Sequence, residues 1–532
     1  MQPEQAAKPA FRTGNLAVAI VIDQFAAWIA RERLPLLPAS GGFARLLKEG
    51  TWYRDVRFAH AITETAAGHA SLYTGKVPHE HGIVANDVRV GDESVGILVD
   101  PSTYVVSATG VGTEVGSSAA AVQSELVADR LRANQPQAKI YSFSLKDRGA
   151  IVGGGHHPDL TLWYDPKQAQ FVTSTAFANR LPDWAIATAG PAAVAKSLDQ
   201  IWLLLDESWV SAHALTKDEQ AGEGDYEGYG IVFPHRARNS KKPLIVFRDH
   251  PISDRVLLDL GLQALDHSPS DSSVLLAISL SANDYIGHFF GPDSWEAWDE
   301  LRRLDAALAG FFAELDRRQG SEHWSLVLSS DHGVLPLPEV NRELAASDGG
   351  RNASSLRPRE VGGRLLPLDL EKAARGPAQE ALGKGEWIAA VVDPYLYYSD
   401  AARRLAPHKL AQLHRVVTEA LSKVPGVNRL FDVATQPEDC PPYQDDSFEA
   451  LVCRSIRKGS GGDVFISLKP GYFFDTGYVP GYGTSHGNAA IYDRSVPVLV
   501  RAPGRVQAGK VEDSVQSFVL YSQQLERLVG LP

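Results

Sequence analysis

The sequence predicts an α/β fold in which helices cover both faces of a central, mostly parallel sheet. Short apolar runs rich in β-branched residues alternate along the chain with segments of helical periodicity, which is typical of a parallel sheet buried on both faces. The chain has 532 residues, of which 44% are hydrophobic and 22% charged, the composition of a soluble globular protein. Because large α/β enzymes often keep one continuous sheet, we expect a single α/β domain over residues 14–532.

Six apolar runs are predicted as strands: Leu16–Ile22, Lys139–Leu145, Val274–Leu280, Trp324–Leu328, Asp463–Leu468 and Val496–Val500. Five segments are predicted as helices: Gly42–Lys48, Ala119–Ala133, Asp254–Leu265, Ser294–Arg318 and His408–Lys423. The fourth helix has the clearest pattern, because its apolar residues recur at the spacing of one buried helical face. These residues are Trp298, Leu301, Leu304, Leu308 and Phe312.

Two segments stand outside this regular alternation. Residues 1–13 lack the apolar region of a signal peptide and are expected to form a loose N-terminal tail. Residues 336–480 are expected to form an inserted subdomain near the mouth of the site. Its first part, Ser347–Arg375, is rich in Gly, Arg and Pro and is interpreted as a surface excursion, whereas Trp387–Leu468 has strand–helix–strand character.

Charge and composition exclude several classes of protein. The net charge of −12 leaves no global basic field, so we expect no nucleic-acid partner. No apolar stretch reaches the roughly 18–20 residues that cross a bilayer, so no membrane span is expected. The two cysteines, Cys440 and Cys453, leave two alternatives open, a local disulfide in an oxidising compartment or two unpaired small residues.

Candidate metal ligands follow two of the predicted strands. Asp23 comes directly after LAVAIVI, and Asp331 and His332 follow SLVLSS. Side chains just past the carboxyl ends of parallel strands lie in the crevice where open α/β sheets bind ligands. Taken singly, an Asp after a strand is more often a helix N-cap and a His a satisfied polar residue, so the argument depends on the whole set.

Three more candidates complete that set. Asp284 and His288 are four residues apart, which places both on one face of a helical turn. His486 lies in GYGTSHG, where glycines allow the backbone to approach a crowded site. Mixed carboxylate and imidazole ligands suit zinc, with manganese or iron as alternatives, and the six residues together predict a site for two divalent metal ions.

Thr65 is the candidate nucleophile. It begins TAAGHASLYTG, a helix-like segment after a polar turn, and a hydroxyl at a helix N-terminus lies beside free N–H groups that suit a phosphate. The local pattern alone favours a simple N-cap at Thr63 or Thr65 over this role.

Four motifs carry a resemblance to a known family. AITETAAGHASLYTGKVPHEHGIVAND, LSANDYIGH, SSDHG and GTSHG resemble the alkaline phosphatase superfamily, most closely its monoesterase branch with a threonine nucleophile, which is related to the nucleotide pyrophosphatase/phosphodiesterases. The resemblance runs from Asp23 to His486 in the family's order. It implies one zinc held by Asp284, His288 and His486. It implies a second zinc held by Asp23, Asp331 and His332, with Thr65 as the nucleophile bridging toward that metal.

Three further residues bear on the substrate. Asn86, in HGIVAND, offers an amide donor, and Lys146 and Arg148, in SFSLKDRGA, follow a predicted strand at period-two spacing, which would place both on one side. Arg engages two oxygens with a fixed fork while Lys acts as a point charge; the alternative is a solvated turn. In the family, an Asn with a Lys-x-Arg pair marks enzymes for monoesters, because a dianionic phosphate rewards the added positive charge.

The resemblance therefore implies an alkaline phosphatase that hydrolyses small-molecule phosphate monoesters through a phosphothreonine, with broad specificity for phosphate scavenging. It also implies a periplasmic or secreted location. The alternatives are a phosphodiesterase or nucleotide pyrophosphatase on the same fold, and a non-catalytic metal- or phosphate-binding homologue. The oligomeric state stays open, with a monomer as one possibility.

Other motifs are set aside. GTSHG also satisfies G-x-S-x-G at Ser485, but that motif requires a strand directly before and a helix directly after, and the flanking residues predict neither. CPPYQ, which begins at Cys440, ends in Gln where a sulfatase nucleophile motif has Arg. The remaining histidines of the motif regions are expected to be structural or surface residues, with His69 as a possible neighbour of the ligands. These are His69, His79, His81, His156 and His157.

Overall fold

The computed structural model describes residues 14–346, 357–477 and 479–531. The tail predicted for residues 1–13 lies outside the described residues. Within those described ranges, no helix combines the length and the apolar character needed to cross a membrane.

The described strands are β1 (Leu16–Ile22), β2 (Thr51–Arg57), β3 (Asp87–Val90), β4 (Glu93–Gly96), β5 (Val99–Ser107), β6 (Gly110–Ser117), β7 (Lys139–Ser144), β8 (Leu160–Asp165), β9 (Gln170–Ser174), β10 (Ile201–Trp202), β11 (His235–Arg236), β12 (Val274–Leu280), β13 (Trp324–Ser329), β14 (Gly363–Leu365), β15 (Ile388–Val392), β16 (Tyr395–Tyr398), β17 (Val427–Asp432), β18 (Val464–Leu468), β19 (Tyr472–Phe474), β20 (Ser495–Arg501), β21 (Lys510–Glu512) and β22 (Gln516–Ser517).

The described α-helices are α1 (Ala27–Arg33), α2 (Gly42–Glu49), α3 (Thr65–Thr74), α4 (Pro78–His81), α5 (Val127–Asn134), α6 (Asp147–Gly154), α7 (Asp183–Ala189), α8 (Pro191–Leu198), α9 (Glu207–His213), α10 (Pro243–Val246), α11 (Ile252–Asp266), α12 (Ala282–Phe290), α13 (Trp295–Gln319), α14 (Pro338–Ala346), α15 (Pro367–Leu382), α16 (Asp400–Arg403), α17 (Pro407–Leu421), α18 (Phe448–Cys453), α19 (Ile491–Arg494) and α20 (Val519–Val529).

The central sheet is parallel in its middle and mainly antiparallel on either side, although β21 and β22 pair in parallel with β2 at one edge. Its strand order is β21-β2-β20-β13-β1-β12-β7-β8-β9-β5-β6, with β22 beside β2. The five strands β13, β1, β12, β7 and β8 pair in parallel, whereas β20 pairs antiparallel with both β13 and β2. The predicted α/β fold on a mostly parallel sheet is therefore confirmed.

Both faces of this sheet are buried, which explains why β1 is apolar throughout. Successive side chains of a strand point to opposite faces. Leu16, Val18, Ile20 and Ile22 join one core, with residues of α11 and α13. Ala17, Ala19 and Val21 join a second core, with residues of α3, α6 and α20. β1 therefore carries no polar side chain, and Asp23 comes directly after its last residue.

Two predicted strands do not join the parallel part of the central sheet. Val496–Val500 is in the central sheet but runs antiparallel to its neighbours, as part of β20. Asp463–Leu468 forms β18 of a separate four-stranded antiparallel sheet with the order β15-β16-β18-β17. A short apolar run shows that a strand is buried, but it carries no information on which sheet the strand joins or in which direction.

One predicted helix is wrong in its first half. The prediction over Ala119–Ala133 matches only from Val127, where α5 begins. Residues 119–126 form turns instead, and the Gln123 N–H donates to the carbonyl of His81 at 2.9 Å rather than to its own helix. The Asp129 carboxylate accepts from the Leu126 N–H at 3.1 Å and marks the true helix start.

The four-stranded sheet β15-β16-β18-β17 has a core of its own. The prediction of a surface excursion over Ser347–Arg375 is wrong in its C-terminal part, which contributes to this core. Helix α15 begins at Pro367 and buries Leu370, Ala374 and Ala378 in a core shared with α17 and the four-stranded sheet. The many Gly, Arg and Pro residues of this segment hide that apolar stripe. The division into one domain with a subdomain over residues 336–480 stays a prediction.

The two cysteines form a disulfide. Cys440 and Cys453 are bonded, which decides between the two alternatives left open by the sequence. The bond ties the proline-rich loop before α18 to the last residue of that helix.

Candidate metal centre

The three central strands bring the predicted ligands to one edge of the sheet. Asp23 follows β1, Asp331 and His332 follow β13, and β12 leads into α12, which carries Asp284 and His288. Because β13, β1 and β12 are parallel neighbours, their carboxyl ends lie side by side.

The six residues fall into two groups of three. Asp284, His288 and His486 form one group, and Asp23, Asp331 and His332 form the other, each with its ligand atoms within 4.8 Å of one another. The structure thus brings together the same two triads that the sequence predicted. Their rings also touch, since those of His332 and His486 stack at 3.6 Å between centroids.

All three histidines are oriented in the same way. The Nδ1 atoms of His288, His332 and His486 lie 2.8, 3.0 and 2.6 Å from the backbone carbonyls of Thr484, Gly333 and Thr63. A carbonyl only accepts, so each Nδ1 carries the hydrogen and donates it. In the neutral ring each Nε2 then has a free lone pair directed at the site, the arrangement that metal-binding histidines use.

The charge of the site also fits bound cations. Asp23, Asp284 and Asp331 are 0–1% exposed, and the ammonium of Lys146 lies 2.6 Å from both Asp23 Oδ2 and Asp284 Oδ2. One ammonium cannot offset three buried carboxylates, and an unpaired buried charge costs several kcal/mol. The donor atoms and the excess of negative charge therefore both suit divalent metal ions, which the two groups could hold.

The pKa values show how the protein's own basic side chains respond to the negative charge of the three buried carboxylates. Burial disfavours a charged His332, but Asp331 and Asp23 outweigh burial and raise its pKa to about 9. Burial also opposes the charge on Lys146, and again Asp23 and Asp284 outweigh it and raise its pKa. In contrast, burial and the neighbouring His332 and His288 hold the pKa of His486 well below its ordinary value.

Thr65 lies between the two triads at the start of α3. It is the first residue of that helix and is 1% exposed. Its Oγ1 lies 3.1 Å from Lys146 Nζ and 3.5 Å from His332 Nε2. Thr63 instead donates its hydroxyl to the carbonyl of Asn488 at 3.0 Å, so Thr65 is the threonine whose hydroxyl is directed at the ligands.

Lys146 and Arg148 reach the site by a route other than the one expected. Strand β7 ends at Ser144, Lys146 is the residue before α6, and Arg148 is in the first turn of that helix. The period-two argument is therefore wrong, because a strand's alternation ends where its helix begins. Both side chains nevertheless line the same cavity as Thr65.

Asn86 is fixed with its amide group available to the cavity. Its Oδ1 accepts from the Ala66 N–H at 2.9 Å, in the first turn of α3. Its own N–H donates to Glu64 Oε2 at 2.6 Å. Because Oδ1 is taken by the helix, the Nδ2 donor is the part of Asn86 left to meet a ligand in the cavity that it lines.

Two glycines allow the close packing that the site requires. A side chain at Gly68 would meet the carbonyl oxygen of Asp331 at 2.0 Å, and one at Gly483 would meet that of His288 at 2.1 Å. Gly483 also has a φ of +70°, which side-chain-bearing residues rarely adopt. The loop that carries His486 can therefore lie directly against α12.

The cavity over the ligands has a volume of about 310 Å³. Its polar lining includes Thr65, Asn86, Lys146, Arg148, Asp284, His288 and His486. Five aromatic residues also line it, Tyr285, Phe289, Phe473, Phe474 and Tyr482, together with charged residues that include Glu64, Asp87, Arg248, Asp393 and Asp475. Ser485 also lines it but lies in a loop, without the strand and helix that a nucleophile elbow needs.

Sequence reasoning missed Gln24 and placed His69 only as a possible neighbour. The Gln24 side chain donates to Asp284 Oδ1 at 2.9 Å, and its backbone N–H donates to Asp331 Oδ1 at 3.2 Å, so it joins the two triads. His69 Nδ1 lies 3.0 Å from Asp331 Oδ2, and Nε2 lies 2.9 Å from Ser279 Oγ. Glu64, which positions Asn86, was also missed; none of these residues belongs to a local pattern that would reveal its role.

Replacing His69 with Ala should weaken metal binding by roughly 10- to 100-fold, the usual cost of losing a residue that orients a ligand. The measurement is a competition titration of bound metal against a chelator of known affinity. His156→Ala is the matched control, because His156 binds Asp129 at 2.8 Å outside the triads and should leave metal affinity unchanged. Equal metal affinity in the His69 variant and the unmodified protein would contradict this role.

Known proteins resemble this chain over most of its length. The sequence profile of the family described as type I phosphodiesterase / nucleotide pyrophosphatase matches residues 17–488. The chain is 29% identical to alkaline phosphatase PhoV of Synechococcus elongatus, over 96% of this chain and 88% of that protein. It is 27% identical to alkaline phosphatase PafA of Elizabethkingia meningoseptica, over 91% and 86%.

A solved structure shows the same fold. The crystal structure of wild-type alkaline phosphatase PafA matches with a TM-score of 0.82 at 25% identity, covering 99% of this chain and 97% of that one. The family match extends over more than half of the chain and includes every residue of both triads. The chain belongs to the type I phosphodiesterase / nucleotide pyrophosphatase family of the alkaline phosphatase superfamily.

Proposed function

We propose that this protein is a zinc-dependent alkaline phosphatase that hydrolyses phosphate monoesters through a phosphothreonine at Thr65. One observation carries the proposal: a single cavity joins the Thr65 hydroxyl and the triad of Asp284, His288 and His486 to Asn86, Lys146 and Arg148. The same hydroxyl lies 3.5 Å from His332 of the other triad. Relatives named alkaline phosphatase align over nine-tenths or more of the chain, which supports a phosphoesterase.

The chain's own residues position the reacting groups. Thr65 Oγ1 attacks phosphorus as the bond to the leaving oxygen breaks, and water then cleaves the phosphothreonine to free phosphate and the hydroxyl. Two divalent cations, when bound, supply Lewis-acid charge that favours the ionised Thr65 hydroxyl and offsets charge on the leaving oxygen. Lys146 keeps its proton, because Asp23 and Asp284 raise its pKa, so it acts as a charge and not as a base.

The preference for monoesters follows from the donors around Thr65. A monoester presents a dianionic phosphate with three free oxygens, whereas a diester is a monoanion with two. Asn86 contributes a neutral amide donor, and Lys146 and Arg148 contribute two positive charges. Hydrogen bonds to ionised groups are roughly twice as strong as neutral ones. The two cations therefore stabilise a bound dianion more than a bound monoanion.

Zinc is the metal that the donor set suits best. This set consists of three carboxylates and three imidazoles. Such mixed oxygen and nitrogen sites favour Zn²⁺ over hard cations that prefer oxygen alone. The Cys440–Cys453 disulfide supports a periplasmic or secreted location, where disulfides persist.

Metal removal tests the proposal. The protein treated with a chelator should release no phosphate from p-nitrophenyl phosphate, and adding back Zn²⁺ should restore turnover, because the cations that the triads would hold favour an ionised Thr65 hydroxyl and offset charge on the leaving oxygen. Metal content is measured in the same samples to show that loss of turnover follows loss of metal. If the metal-replete protein releases no phosphate, the enzyme hypothesis fails and the non-catalytic alternative stands.

A second candidate function is phosphodiester hydrolysis, which the description of the matching family favours. It would use the same Thr65 and the same triads. The two candidate functions differ in how much Lys146 and Arg148 stabilise the bound phosphate group. They are therefore separated by comparing monoester and diester rates on one preparation.

A further inference from the structure

A second cavity of about 330 Å³ lies between α11 and α13, apart from the candidate metal centre. Its residues come from these two helices and from the segments around Trp202 and His250. The base of the cavity is polar and buried. Its mouth is apolar and open, with Ile201 39% and Leu205 48% exposed.

Two carboxyl groups at the base have an oxygen without a partner. Asp254 Oδ1 accepts from the N–H groups of Ser281 and Ala282 at 3.0 and 3.2 Å, but within the described residues its Oδ2 has no hydrogen-bond partner. The same holds for Glu300 Oε2. Asp254 and Glu300 are only 2% and 1% exposed, and a buried polar atom left unpaired costs about 1–3 kcal/mol.

A histidine adds a third polar atom of this kind. His250 is 6% exposed, and its Nδ1 accepts from the Ile252 N–H at 3.1 Å. Burial, together with the charge of Arg303, lowers its pKa to about 3, so the ring is neutral and carries its hydrogen on Nε2. That Nε2 has no partner in the described part of the chain.

The positive side chains at the cavity are already paired. Arg303 Nε lies 2.5 Å from Asp299 Oδ2, and Arg255 Nε lies 3.2 Å from Asp259 Oδ1. No cation is therefore committed to Asp254 or Glu300 among the ion pairs of the described residues. Burial raises the pKa of Asp254 to about 7, and burial with the charge of Asp254 raises that of Glu300 well above its ordinary value.

The polar atoms at the base of the cavity are not arranged as ligands of a bare metal ion. In the described residues, three ligating atoms come within 4.8 Å of one another only in the two triads, so the atoms at this base do not converge on one point. The volume would hold roughly ten water molecules, which is the lower end of the range for small-molecule sites. An occupant must therefore span several atoms.

We propose that this cavity binds a small organic ammonium ion with an apolar chain, of the primary alkylamine class. Its ammonium group lies at the base, where it donates to Asp254 Oδ2 and Glu300 Oε2. Its alkyl chain lies along Trp202, Leu258 and Leu304 toward the apolar mouth. This assignment is independent of the chemistry at Thr65.

Calorimetric titration of the full-length, metal-replete protein with n-butylamine tests the proposal. We expect saturable binding at one site per chain, and n-butanol, which has a similar shape but no charge, should bind at least about tenfold more weakly. Absence of saturable n-butylamine binding, or equal binding of n-butanol, would overturn the proposal.

Variants locate the site. Glu300→Gln should weaken n-butylamine binding by about tenfold, since it removes a carboxyl group that can ionise beside the ammonium, and Ala307→Leu should weaken it by filling the cavity. Glu314→Gln is the matched control on the same helix, because Glu314 pairs with Arg317 at 2.9 Å and does not line the cavity. Should Ala307→Leu fail to fold by circular dichroism, Glu300→Gln alone decides, and wild-type affinity in that variant would refute the assignment.

Discussion

Replacing Thr65 with Ala is expected to reduce kcat/KM for p-nitrophenyl phosphate by at least roughly three orders of magnitude, as loss of a covalent nucleophile does in other enzymes. The physical reason is that, in the proposed mechanism, Thr65 supplies the oxygen that bonds to phosphorus, and its hydroxyl lies at the start of α3, 3.1 Å from Lys146. Metal content should be unchanged, because the six ligands stay in place. Steady-state kinetics and metal analysis of the same preparation provide the measurement.

Two control variants make the Thr65 test specific. Thr65→Ser keeps a hydroxyl and should retain part of the activity. Thr63→Ala removes a hydroxyl that is bonded to the Asn488 carbonyl and directed away from the ligands, so its loss of turnover should be far smaller. Wild-type turnover in Thr65→Ala, or a greater loss in Thr63→Ala, would contradict the assignment of the nucleophile.

Replacing both Lys146 and Arg148 with Ala should reduce monoester kcat/KM by roughly 10²- to 10⁴-fold, the value of two charge-assisted contacts of about 1.5–3 kcal/mol each when partly additive. Diester kcat/KM should fall much less, because a monoanion gains less from the two cations. Parallel assays of p-nitrophenyl phosphate and bis-p-nitrophenyl phosphate measure both losses on one protein.

The matched control for this double variant replaces Arg132 and Lys139 with Ala. Both side chains bind Asp159, at 2.6 and 2.7 Å, near the opposite end of β7 from Lys146. Removing these two cations changes the net charge equally but leaves the cavity intact, so both substrates should be hydrolysed at wild-type rates. Equal losses for monoester and diester in the Lys146 and Arg148 variant would contradict the monoester assignment.

The ligand triads could be predicted from the sequence because their positions follow from strand ends. β1, β12 and β13 are buried on both faces, and Asp23, Asp284 and Asp331 follow them at one edge of the sheet. His486 has no such strand, and only its glycine-flanked loop and the family motif indicated it. The structure shows why those glycines are there, since Gly483 lies against the carbonyl of His288.

What the sequence could not predict depends on contacts between distant segments. Gln24 joins Asp284 and Asp331, which are 260 and 307 residues away, and nothing in its neighbourhood indicates this. The turns over residues 119–126 replace a helix because Gln123 bonds to His81 in another segment. Strand β18 has the pattern of a buried strand, but its partners were decided by the small core that it shares with α15 and α17.

The cavity between α11 and α13 is a further example of a feature with no local signal. Asp254, His250 and Glu300 would be ordinary polar residues of helices and turns in the sequence alone. Only the fold shows that each has a buried atom without a partner in the described residues. Asp254 also bonds to the N–H groups at the start of α12, the helix that carries two of the metal ligands.

The most direct test of the central claim is the ratio of kcat/KM for p-nitrophenyl phosphate to that for bis-p-nitrophenyl phosphate, measured on the unmodified, zinc-replete protein. Because Lys146 and Arg148 line the cavity beside Thr65 and favour a dianion, the account predicts a ratio in favour of the monoester of at least roughly 10². A ratio below one, with the diester hydrolysed faster, would contradict the account and identify the protein as a phosphodiesterase.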